Sequence, residues 1–143
     1  GRKKLMLFGS AALTIIYALL GYFYYTNVTG FPLLLLVLLA IAIYAMSLAP
    51  ITWVILSEIF PNRIRGVAMS IATFALWIAS ALLVQTFPIF NEYLGTSGTF
   101  WVYGIICALG FVFVFRKLPE TKNKSLEEIE ELMVSDRQSK NIQ

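Results

Sequence analysis

Histidine is absent from the 143 residues, cysteine occurs once, and only 13% of the side chains are charged. The lone Cys107 excludes an intramolecular disulfide and leaves the redox compartment unread. No metal-binding cluster, phosphate-cradling loop or nucleophile paired with a base can be assembled from the chain, so it is not read as an enzyme and no cofactor or metal is expected. The shortage of charge is more informative. Soluble domains carry roughly a quarter charged residues, whereas this chain is 59% apolar and 15% aromatic, with a mean hydropathy of +0.77. A fold dissolved in water could not hide that much apolar surface.

No charge interrupts the stretch from Leu5 to Ser57, nor those from Gly66 to Asn91 and from Tyr93 to Phe115. A helix needs about 20 apolar residues to cross about 30 Å of hydrocarbon, and the polar turn Thr26, Asn27, Val28, Thr29, Gly30 divides the first stretch. Four transmembrane helices are therefore expected near residues 5–25, 31–57, 67–90 and 98–115, within a membrane segment 1–118. A cytoplasmic tail with a short helix is expected over 119–134, and disorder over 135–143. The fold class is all-α membrane protein.

The net charge of +3 does not point to nucleic acid, because the basic residues sit at span ends rather than on one soluble surface. Arg2, Lys3 and Lys4 precede the first span, Arg63 and Arg65 separate the second from the third, and Arg116, Lys117, Lys122 and Lys124 follow the fourth. The two opposite loops, 26–30 and 91–97, contain neither Lys nor Arg. By the positive-inside rule the three basic segments, and with them both termini, are cytoplasmic. The implied location is a plasma or bacterial inner membrane, with lipid as a partner. Tyr22, Phe23, Tyr24 and Tyr25 end the first span, and Phe100, Trp101 and Tyr103 open the fourth. Both groups suit an outer interface and equally suit ordinary contact with lipid.

Between the second and third spans lies SEIFPNRIRG, residues 57–66. A carboxylate at a membrane edge is costly unless paired, so Glu58 is expected to bond Arg65, Arg63 or a basic residue elsewhere; the other reading is a cluster that only fixes orientation. Past the fourth span, Ser125 and Glu128 stand in capping-box relation. Leu126, Ile129, Leu132 and Met133 then recur at helical spacing against Glu127, Glu128, Glu130 and Glu131. This amphipathic helix either docks on a basic cytoplasmic surface or is solvated. The chain opens on Gly1 with no signal sequence, either because it was processed or because it is a fragment of something longer.

Four motifs now occur in order around the four spans: GRKK at the start; Pro50, Ile51, Thr52 and Trp53 followed by SEIFPNRIRG; FWVYG at 100–104; and PETKN at 119–123. Together they resemble the sugar porter branch of the major facilitator superfamily, most nearly its bacterial xylose/proton symporters. The resemblance implies twelve helices in two six-helix bundles with substrate held between them, this chain supplying helices nine to twelve and eight N-terminal helices being the missing partner. It also implies that the second and third spans line the cavity while the first and fourth lie toward lipid. The implied activity is secondary transport of a sugar or polyol by alternating access. Glu58, Arg63 and Arg65, with Arg2 of GRKK and Glu120 of PETKN, would form a cytoplasmic charge network that ties the inner ends together.

Sugar sites pair an aromatic platform with uncharged hydrogen-bonding groups. Trp53 matches the family's sugar-contacting tryptophan of the tenth helix. It shares a face with Met46, Pro50 and Ser57, and Pro50 removes an internal hydrogen bond and favours a bend. Ser70, Thr73, Trp77 and Ser80 form a stripe on the third span, with Trp77 matching a tryptophan of the cavity wall. The xylose-type pattern has an amide side chain just before that tryptophan, where this chain has Leu76, which leaves the identity of the sugar open. Packing between helices is the other reading for Trp53 and for the Ser/Thr stripe. No Asp, Glu or His lies within the four expected spans, so proton symport and facilitated diffusion stay undivided. A transporter-like sugar sensor and a self-contained four-helix structural protein are the competing functions.

Overall fold

The computed structural model describes residues 1–120, 127–129, 131, 134 and 135. Over residues 1–117 four helices follow one another: α1 (Arg2–Tyr25), α2 (Phe31–Met46), α3 (Leu48–Ile59) and α4 (Arg65–Lys117). Among the described residues three helical stretches are long and apolar enough to cross a membrane: α1, the run Phe31–Ile59 and α4.

The turn after α1 is built by its sequence. The Val28 N–H donates to the Phe23 carbonyl and the Asn27 N–H to that of Tyr24, while Asn27 adopts φ 56°. These are the paired bonds of a Schellman motif, with asparagine in the left-handed position that it tolerates better than most residues. Pro32 then sits in the first turn of α2, where the missing N–H has no bond to lose.

At 53 residues α4 would be about 80 Å long if continuous, far more than a bilayer spans. It reverses at Gly95, whose φ 72° and ψ 171° are accessible essentially to glycine alone. The reversal is visible in what meets across it. The Tyr103 hydroxyl lies 3.3 Å from the Leu83 carbonyl, although 20 residues of continuous helix would separate these positions by about 30 Å, and the Phe87 and Tyr103 rings are 6.2 Å apart. The two halves, 65–94 and 96–117, are therefore antiparallel neighbours. The turn between them is shorter than the seven-residue loop read from the sequence. Helix continues through Pro88 up to Leu94, so Glu92 stands in a last helical turn rather than in a loop.

α1 is the hub of the packing. Leu13, Ile16 and Leu20, spaced along one face, are buried with Ala40 of α2, and Tyr17, Leu33, Val37, Ile43, Leu48, Phe100 and Cys107 close around them. The opposite face of α1 leaves Phe8, Ile15, Leu19 and Tyr22 exposed. The lipid-facing reading of the first span thus describes only one of its faces. Close approach depends on small residues, as expected where lipid removes the hydrophobic drive between helices. Gly21 lies directly beneath the Trp101 indole, and a Cβ on Gly104 would rest 3.5 Å from Tyr17 Cβ.

The expected tail helix falls mostly outside the described residues. Those described at 127–129, 131, 134 and 135 are helical, with Ile129 buried and Glu127, Glu128 and Glu131 exposed. The 136–143 tail also lies outside them.

Candidate functional site

Three helix ends meet where the basic residues gather. The start of α1, the end of α3 and the end of α4 converge on Arg2. Its guanidinium donates to Glu58 Oε1, and its backbone N–H donates to Glu120 Oε1 at 3.0 Å. Lys3 Nζ donates to the Phe115 carbonyl at 2.9 Å, and its ammonium lies 5.8 Å from the Phe115 ring centroid, so a cation occupies the C-terminal end of α4, where the helix dipole favours one. The arrangement joins residues up to 118 positions apart in sequence. It brings Arg2, Glu58 and Glu120 together but not the two arginines nearest to Glu58 in sequence. Arg65 Nε instead donates to the Phe60 carbonyl at 3.3 Å, and Arg63 is exposed. The reason is local. Phe60 is extended at φ −89°, ψ 132°, and the turn that follows carries Arg65 into α4, where its shortest reach is back to the α3 terminus. Glu58 Oε2 is buried and meets no donor among the described residues.

At the opposite end aromatic side chains hold α1 against the second half of α4. Tyr24 stacks on Phe100 at 5.4 Å, Tyr25 lies 6.0 Å from Trp101, and Tyr17 lies 6.2 Å from Phe100 and 6.5 Å from Tyr103. Trp101 Nε1 donates to the Ala18 carbonyl at 3.3 Å. The two aromatic groups read separately from the sequence are thus faces of one stack.

The candidate substrate residues lie on α3 and the first half of α4. The helix breaks at Ser47 (φ −115°, ψ −73°), three residues before Pro50 rather than at it. A proline lacks the N–H that would bond the carbonyl four residues earlier, so the discontinuity appears on its N-terminal side and Pro50 itself fits the first turn of α3. Met46, Pro50 and Trp53 are exposed. Their polar neighbours are turned inward on their own helix: Thr52 Oγ1 donates to the Leu48 carbonyl at 2.6 Å and Ser57 Oγ to that of Val54 at 2.7 Å. On α4, Trp77 is 65% exposed and Leu76 40%, Ser80 is exposed and Thr73 half-buried. Ser70 Oγ donates to the Gly66 carbonyl, a back-bond that uses its proton and leaves the oxygen to act as an acceptor. Among the described residues no ring contact or hydrogen bond joins Trp53 to Trp77. These side chains form two open walls rather than a closed pocket.

A crevice of about 440 Å³ lies elsewhere, between α1 and the two halves of α4, lined by Tyr17, Leu83, Val84, Phe87, Tyr103, Ile106 and Cys107. None of the residues singled out for substrate from the sequence lines it. Among the described residues no cluster of His, Cys, Asp or Glu is placed to hold a metal ion.

Sequence reasoning missed two features of this geometry, the Ser47 break and the reversal at Gly95, and it placed Arg2 in the charge network with Glu58 without singling it out as the partner. Pro50 in a first turn and the glycine in Leu94-Gly95-Thr96 carried signals for the first two. Nothing local in the sequence distinguishes Arg2 from the other basic residues of that network.

Comparison with known proteins matches this geometry to a family. The model of the family described as "Sugar (and other) transporter" matches residues 1–133. The chain is 45% identical over 135 residues to the arabinose-proton symporter of Bacillus subtilis, covering 94% of this chain and 29% of that protein. It is 40% identical over 138 residues to the D-xylose-proton symporter of Escherichia coli K12, covering 92% and 28%. Among solved structures, the inward-open xylose transporter XylE from E. coli superposes with a TM-score of 0.85 at 43% identity, over 92% of this chain and 30% of that one. The chain therefore spans about three tenths of the length of these relatives. With the family match running through residue 133 and the fold shared at 43% identity, this chain belongs to the sugar transporters, the sugar porter branch of the major facilitator superfamily.

Proposed function

We propose that the protein to which these helices belong moves a sugar or polyol across a cell membrane by alternating access, with both ends of this chain on the cytoplasmic side and eight further helices supplying the opposite wall of the cavity. The observation that carries this reading is the 45% identity to an arabinose-proton symporter, followed by 40% to a xylose-proton symporter, both acting on pentoses by name. Pentoses are accordingly the first substrates to test. Trp53 and Trp77 provide apolar platforms for the sugar ring, Thr73 and Ser80 provide hydroxyls, and Pro50 lets α3 swing relative to α2. Their exposure supports the assignment, because a half-site must be open on the side where its other half belongs.

Glu58, Arg2 and Glu120, flanked by Arg63 and Arg65, act as the tie between the inner ends of the helices. The pairing of Arg2 with Glu58 and Glu120 supports that role, since it clamps α1, α3 and the end of α4 at one level of the membrane. The test is uptake of labelled arabinose and xylose by the full-length protein in proteoliposomes, with and without an imposed proton gradient. Saturable uptake that Trp53→Ala abolishes supports the reading. Uptake of neither pentose, or a Trp53→Ala protein that transports normally, refutes respectively the substrate class and the site. Gradient-dependent accumulation above equilibrium separates symport from facilitation.

A further inference from the structure

Ser47 is 2% exposed, although it lies at a helix break in the most apolar run of the chain. Its hydroxyl donates to the Ile43 carbonyl at 2.5 Å, and its own N–H donates to the same carbonyl at 3.0 Å. One turn of α2 is thereby closed on itself before the backbone departs into α3. Gly9 of α1 lies directly against the Ser47 side chain. A Cβ built on Gly9 would overlap the Ser47 hydroxyl, come within 2.8 Å of Ser47 Cβ and lie 3.3 Å from Leu48 Cγ. The contact thus has no room for a side chain at position 9, and the break in the α2–α3 run rests directly on the α1 backbone. On the far side of the break Pro50 cannot donate to the Met46 carbonyl, so few backbone bonds hold the two segments to one another across it. Ile51 and Ile55 of α3 are buried, whereas Trp53 is 44% exposed. The angle at which α3 leaves Ser47 therefore sets where Trp53 stands.

We infer that Gly9 is a positioning residue: the bearing on α1 against which the Ser47 break turns, so that α3 and Trp53 move relative to α2 without losing their seat. This rests on the transport reading given above. A methyl group at Gly9 would wedge the joint, because overpacking at a contact with no slack forces the backbone to shift. The atoms nearest the added methyl belong to Ser47 and Leu48, not to the sugar-binding side chains, so the wedge impedes the turning of the joint more than it alters the contacts offered to a sugar. It should reduce the maximal uptake rate on the order of tenfold while leaving equilibrium sugar binding within a few-fold of wild type. Removing the obstruction from the other side should reverse the effect, because Ser47→Gly deletes both atoms that the new methyl meets first.

The experiment compares the full-length carrier as wild type, Gly9→Ala, Ser47→Gly and Gly9→Ala/Ser47→Gly. It reads membrane level, pentose binding and uptake rate. The inference predicts a rate defect for Gly9→Ala with binding retained, and recovery in the double variant. A Gly9→Ala carrier with the wild-type rate overturns it, as does a defect that Ser47→Gly does not relieve. Should Gly9→Ala fail to reach the membrane, the membrane level of the double variant decides: restoration supports the contact, and no restoration refutes it. Wild-type protein that moves no pentose refutes the transport reading instead, which keeps the two failures distinct.

Discussion

The bond between Arg2 and Glu58 offers a quantitative test of the cytoplasmic tie. Arg2→Ala removes the guanidinium but leaves the backbone N–H that bonds Glu120, so the substitution isolates the contact to Glu58. The pair is partly sheltered, with side-chain exposures of 36% and 25%, between the fully exposed pairs worth roughly 0.2–1 kcal/mol and buried ones whose breaking costs about 3–5 kcal/mol. Glu58 Oε2 already lacks a donor among the described residues, so losing Arg2 strands a carboxylate that is mostly out of water. We expect a cost of about 2 kcal/mol, equivalent to roughly a 30-fold shift in any equilibrium in which the tie is made on one side only. Glu58→Gln removes the charge that needed a partner and should cost less than Arg2→Ala. The double variant should resemble Glu58→Gln alone, because the stranded charge is gone. A double-mutant cycle on the inward-to-outward distribution of the full-length carrier, read by cysteine accessibility at the two mouths, measures the coupling directly. A coupling below about 0.3 kcal/mol, or an Arg2→Ala variant milder than Glu58→Gln, would refute the reasoning.

Other expectations follow from single contacts. Gly95→Ala puts a side chain where φ is 72° and ψ 171°; nothing lies within 4 Å of the added Cβ, so the cost is backbone strain of about 1–3 kcal/mol and should appear as a lower melting temperature of the purified carrier with unchanged substrate preference. Trp101→Phe keeps an aromatic ring against Tyr25 but deletes the bond to the Ala18 carbonyl, for a loss of about 0.5–1.5 kcal/mol by thermal unfolding; no measurable loss would mean that the indole N–H contributes nothing. Leu76→Gln restores the amide that the xylose-type pattern carries at this place, and one added hydrogen bond should raise apparent xylose affinity roughly two- to tenfold in competition uptake; unchanged selectivity would place position 76 away from the sugar.

Much of this architecture could be read from the chain alone. Continuous apolar stretches of about 20 residues or more suit helices rather than the short alternating strands of a barrel, and the confinement of Lys and Arg to alternate loops suggested which span ends belong together. The motifs GRKK, SEIFPNRIRG, FWVYG and PETKN named the family before any contact was known. Helix ends were less legible, because they depend on one or two dihedral angles. Asn27 in the left-handed position and Gly95 as a one-residue reversal are choices among several that the same composition permits, and the Ser47 break is displaced from the proline that causes it.

What the sequence determined by itself was the class of the molecule, an all-helical membrane protein, and the places where its apolar runs begin and end, since these depend on composition and local periodicity. What only the tertiary structure decided was who meets whom. Arg2 reaches Glu58 across 56 positions, Trp101 lies over Gly21 and Ser47 rests on Gly9. Each is fixed by how closely helices approach and how they are rotated about their axes, which the chain specifies only through all of its packing contacts at once.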